Sequence, residues 1–259
     1  MSNGIVASVT RAGAYEPFDL QVARGQISGH TVVSLFGYQP SVTTTSIPIW
    51  ENATTYTYIT SASTLTLVST SASDDTSAKI LISGLDANFN PLSETLAMNG
   101  VTGVTTVNSY FRVNSLLMVS PGTGQSTNVG TITLKQSSNI VAQINAGIGK
   151  SQSTIYTVPA GYTFYLDLAE VNTSNSYTGS TIVTYKVQAI NNTTGVKLAV
   201  LQQPFVSIYT ANRASDPFAY AEKTDIQWQL VTSTGTIAAG VIVTGKLIQN
   251  NVNTTVPGG

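Results

Sequence analysis

The stretch of this chain that most suggests chemistry is GLDANFNPLSE, residues 84 to 94. Asp86, Asn88 and Asn90 place three oxygen-bearing side chains at alternate positions, as the opening of a calcium-binding EF-hand loop does. That loop needs Gly at its sixth position and a bidentate Glu at its twelfth. Counted from Asp86, those positions hold Pro91 and Ala97. The flanking stretches alternate like strands. The motif therefore predicts a hairpin turn in which Asp and Asn cap nearby backbone N–H groups.

Other chemistry is thinly supplied. The chain has one His, His30, and no Cys. A Ser-His-Asp triad would have to rest on His30, and no Gly-X-Ser-X-Gly elbow is present. Paired carboxylates could serve glycoside hydrolysis. The candidates are Asp74, Asp75, Asp86, Glu94, Asp167, Glu170, Asp216, Glu222 and Asp225. Asp74 and Asp75 sit in a loop-like composition, and Asp216 precedes a proline as turn-starting residues do. Asp167 and Glu170, three apart on a strand, should project to opposite faces. GTGQST (122 to 127) lacks the lysine of a phosphate loop and reads as a hairpin. The expectation is a protein without catalytic residues, metal or cofactor.

These residues must be positioned by strands. Val183, Tyr185, Val187 and Ala189 alternate with polar residues, as do Ile226, Trp228 and Leu230. Phe164, Leu166 and Leu168 should likewise share one face. Core packing is expected for Trp228, which lies on the apolar side of its strand. Turn signals such as Asn99-Gly100 and Thr234-Gly235 cut the chain into two runs of short strands, the first beginning near 54–60. The predicted fold is all-β: two antiparallel β-sandwich domains of jelly-roll or immunoglobulin-like type, preceded by an extended N-terminal arm. The expected division is an arm over 1–50, sandwiches over 51–145 and 152–250, and a tail over 251–259.

Composition narrows the role. Only 9% of the 259 residues are charged and the net charge is −1, against roughly 25% charged in an average soluble protein. Arg occurs at four scattered positions, 11, 24, 112 and 213. No basic patch for nucleic acid is visible, and no apolar run approaches a membrane span. MSNGIVASVTRAG has neither the basic nor the long apolar region of a secretory signal, so synthesis in a cytoplasm is expected. A surface so poor in charge is easier to explain if an assembly covers much of it. Residues 1–50 hold His30, two of the four Arg and scattered aromatics. They either pack on their own sandwich or reach a neighbouring subunit by strand addition. Phe18, Arg24, His30, Phe36 and Tyr38, aromatics with an Arg, are the candidate interface residues.

The order of several segments carries a resemblance. FDLQVARGQISGHTVVSLFGYQPSV (18 to 42) is followed by ISGLDANFNPLSETLAMNGVTGVTT (82 to 106), FRV (111 to 113), NVGTITL (128 to 134), AQINAGIGKSQSTIYTVPAGYTFYL (142 to 166) and GVIVTGKLI (240 to 248). This series resembles a family of virion structural proteins of tailed bacteriophages. The resemblance implies an accessory, non-enzymatic virion component made in the bacterial host cytoplasm. It implies partners among the major capsid protein or neck and portal-associated proteins; by analogy with the fold, a homo-oligomer, trimeric or higher, is expected. A capsid decoration or cement role leads. A collar, neck or whisker component, and a glycan- or receptor-binding module of a head or tail fibre, are the alternatives.

Overall fold

The computed structural model describes residues 16–174, 181–206 and 209–251, with only the backbone of 199–200 and 209–217. The tail beyond 251 and the first fifteen residues lie outside the described residues. One short helix, α1 (Phe18–Ala23), precedes β1 (His30–Val42) and β2 (Ile47–Pro48). Seven strands follow: β3 (Thr66–Ser69), β4 (Lys79–Leu85), β5 (Pro91–Ala97), β6 (Val104–Thr105), β7 (Arg112–Ser120), β8 (Ile132–Gln136) and β9 (Asn139–Ile144). The last seven are β10 (Tyr156–Thr157), β11 (Tyr162–Thr173), β12 (Val183–Asn191), β13 (Lys197–Phe205), β14 (Tyr209–Tyr220), β15 (Thr224–Thr232) and β16 (Ile237–Gln249).

The fold is all-β and antiparallel, as the alternation requires. Sheet β6-β3-β8-β9 faces sheet β5-β4-β7 across a core that includes Leu67, Ile80, Ile82, Leu116 and Leu134. Sheet β1-β16-β11-β14 faces β10-β15-β12-β13, with β2 beside β15, across a second core around Trp228, Tyr185, Phe164 and Val241. Trp228 is fully buried. Its strand reads apolar-in and polar-out because one face of each sheet is covered and the other is wet.

Residues 30–50 do not run as an extended arm. From His30 to Val42, β1 is zipped to β16, and Ile47 and Pro48 pair with Leu230 and Gln229. Val42 and Ile49 are core residues. The proline-rich, turn-like composition hid a strand whose inner positions, Val33 and Leu35, pack on the second sandwich. That sandwich is thus built from the chain's beginning and end, and the first is inserted between them.

Two local expectations also change. A β-bulge between Leu166 and Leu168 shifts the phase of β11, so Leu168 leaves the core face and Ala169 and Val171 are buried instead. The shift puts Asp167 and Glu170 on the same, outward side. Gly245, opposite the bulge, is required because a Cβ there would come within 2.6 Å of the Phe164 ring. The alternating stretch 54–60 forms no strand. Its rings form a ladder instead: Trp50 meets Tyr56 at 5.1 Å and Tyr56 meets Tyr58 at 5.0 Å, both edge-to-face. Its carbonyls bond to side chains, Thr57 to Asn139 and Ile59 to Arg112.

Candidate functional site

The densest polar constellation lies where the sandwiches meet. Arg112, in β7 of the first, forms a bidentate ion pair with Asp225, in β15 of the second: Nε to Oδ1 at 2.9 Å and Nη2 to Oδ2 at 2.9 Å. Both side chains are almost completely buried, at 5% and 2% exposure. Nη1 donates to the carbonyls of Ile59 and Phe111, and Nη2 reaches Asn192. Thr157 donates to the same Oδ1 of Asp225 at 2.6 Å. The guanidinium lies over the rings of Phe111 and Tyr58, at 4.1 and 4.7 Å from their centroids, a favourable cation–π placement. Arg112 uses its planar fork fully. Such an arrangement fixes two bodies together.

The stretch from 84 to 94 belongs to this junction. Asp86 accepts N–H bonds from Asn88 at 2.8 Å and Asn90 at 2.9 Å, and its other oxygen accepts the Asn90 side-chain amide at 3.0 Å. The carboxylate closes the turn, as its spacing predicts. The turn presents Phe89, with φ of 66°, whose ring meets Phe111 at 5.2 Å and whose carbonyl accepts the Ala160 N–H of the second sandwich. The loop is a docking element.

Glu51 stands where the chain crosses into the first sandwich. Its carboxylate accepts the Asn145 N–H at 3.1 Å and a backbone hydrogen bond from Gln152, both on the returning crossover. Burial pushes its pKa up to about 7, against the lowering effect of those two bonds. Glu51 therefore ties the outgoing crossover to the returning one.

Several of the other acids also serve the fold. Asp74 is buried and accepts from Ser69, Val129 and Gly130. Asp75 accepts from Ser77 and Thr123, Glu94 from Val107, and Glu222 from Gly161. Lys246 joins Asp167 at 2.6 Å and Asp19 at 3.0 Å, pinning α1 to the outer sheet face. Among the described residues no group of three or more His, Cys, Asp or Glu could hold a metal ion, and no helix is long and apolar enough to cross a membrane.

The five candidate interface residues fall into two groups. Phe18 packs edge-to-face on His30 at 5.8 Å, and the His30 Nδ1 lies 2.9 Å from the Ser28 carbonyl. Arg24 pairs with Glu16 at 2.5 Å. Phe36 and Tyr38 lie further along β1, two residues apart on its outward face, 42% and 36% exposed. Val32, on the same face, is 43% exposed. Sequence reasoning missed Arg112, Glu51 and Phe89. The signal for Arg112 was a lone arginine inside a strand, FRV, in a chain with few charges.

Between β1 and the outer face of β5-β4-β7 lies an open cleft of about 620 Å³. Its walls include residues 31–36 on one side and Ser83, Ser93, Ser115 and Lys150 on the other.

No family model matches the chain, and no curated protein matches it. Among solved structures, a chain of the infectious bursal disease virus Gx strain is 12% identical over 92% of this chain and 78% of its own, with a TM-score of 0.23. A chain of T=1 particles derived from infectious bursal virus is 12% identical over 86% and 70%, with a TM-score of 0.22. Likeness at that level carries no argument about fold or function.

Proposed function

We propose that this protein is a non-enzymatic structural component of a tailed-phage virion, a capsid decoration protein held to the shell through its N-terminal region. The observation that carries the reading is the outward face of β1. Val32, Phe36 and Tyr38 are exposed in a row on a strand otherwise locked into a sandwich. Large exposed side chains of this kind mark a contact surface. The buried inter-sandwich ion pair and the clamped crossovers favour a rigid spacer, and the ordered segments resembling phage virion proteins supply the biological setting.

The interface assignment is tested by the double variant Phe36→Ser/Tyr38→Ser. It should retain the fold, because both side chains point away from the core, and should enter particles poorly. Incorporation at the natural level would overturn the assignment.

A further inference from the structure

We propose that the cleft beside β1 receives residues 5–10 of a neighbouring copy as an added strand, so that copies are linked through their N-terminal segments. This rests on the reading of the N-terminal region as an assembling element. β1 is the end strand of its sheet. The Tyr38 N–H points away from β16, toward the Gln152 carbonyl. By the alternation of an antiparallel ladder, the N–H and C=O groups of Val32, Ser34 and Phe36 point the same way. Beyond Phe36 the edge is closed, because the Gln152 carbonyl already accepts the Tyr38 N–H at 3.4 Å. From Thr31 to Phe36 the edge opens into the cleft. Among the described residues this stretch of edge has no partner strand, and such an edge is a template for another strand.

The occupant is argued from length, composition and area. Fifteen residues precede Glu16, and α1 sits at the His30 end of β1, so the segment starts from the cleft's own neighbourhood. Ile5-Val6-Ala7-Ser8-Val9-Thr10 is uncharged and rich in β-branched residues. Its six residues match the open edge, Thr31 to Phe36. The opposite wall is a row of hydroxyls with Lys150 beside it, since Ser83 is paired with Ser93 on one side and Ser115 on the other. An uncharged strand enters there without burying a charge. A second copy seated there would cover Val32 and Phe36, which line the cleft, and its body would reach Tyr38 next to them.

The test compares the full chain with Ala7→Pro and Ser34→Pro. Each removes one N–H from the added ladder, and Ser34→Pro spares the bonds to β16. Sedimentation over a concentration series should show self-association weakened by ~10-fold or more in both. Amide exchange over 31–37 should be slowed at high concentration in the natural chain and fast in Ala7→Pro. Ala7 precedes every described strand in the sequence, so that variant remains informative if Ser34→Pro fails to fold. Unchanged association in Ala7→Pro would overturn the proposal. So would protection of 31–37 that is independent of concentration, which would mean the chain's own segment fills the cleft. A variant that associates normally yet fails to enter particles would refute the cleft assignment and leave the virion reading standing. A chain that associates through the cleft but is absent from particles would do the reverse.

Discussion

Arg112 and Asp225 are 113 residues apart and meet in a bidentate, almost fully buried ion pair that joins the two sandwiches. Removing one partner of such a pair leaves a buried charge without compensation. Arg112→Met should therefore destabilise the protein by ~3–5 kcal/mol, read as a lower midpoint in chemical denaturation. The double variant Arg112→Met/Asp225→Leu should recover much of the loss, because neither charge is then stranded. A single variant as stable as the natural chain would show that the pair does not hold the junction.

Glu51 makes the junction pH-dependent. Its pKa rises from 4.5 to about 7 on folding, so the folded protein binds a proton that the unfolded chain has released over that window. Stability contributed by Glu51 is therefore greatest below pH 4.5, falls as pH rises toward 7 and levels off above it. The full swing is ~3 kcal/mol. Glu51→Gln should be more stable than the natural chain at pH 8 and show a flatter profile between pH 5 and 7. Parallel profiles for the two proteins would contradict this.

Asp86 is predicted to act without metal. Calcium at millimolar concentration should leave the melting temperature of the natural chain unchanged. Asp86→Ala should cost ~1–2 kcal/mol in metal-free buffer, from the lost turn hydrogen bonds. A calcium-dependent rise in melting temperature that Asp86→Ala abolishes would restore the metal reading.

The strongly alternating strands were legible because alternation reports a one-sided core. Val183 to Ala189 and Ile226 to Leu230 bury the positions their pattern predicts. The turn at Asp86 was legible because Asx capping is local. What failed was non-local. Nothing in the proline-bearing stretch from 30 to 48 shows that its partners lie some 200 residues away in β15 and β16. The bulge at Leu166 is a change of phase that a period of two cannot report. The rings of Tyr56 and Tyr58 alternate like a strand, yet they meet edge-to-face outside any strand. Arg112 and Asp225 each look like an ordinary strand residue until the fold brings them together.

The virion role makes one direct demand, which is presence in the particle at stoichiometric level. Quantitative mass spectrometry of purified virions, calibrated on the major capsid protein, measures it. A decoration protein should be present at on the order of hundreds of copies, tracking the symmetry of the shell. A few tens of copies or fewer would contradict decoration and point to the neck, and absence from the particle would contradict the virion role itself.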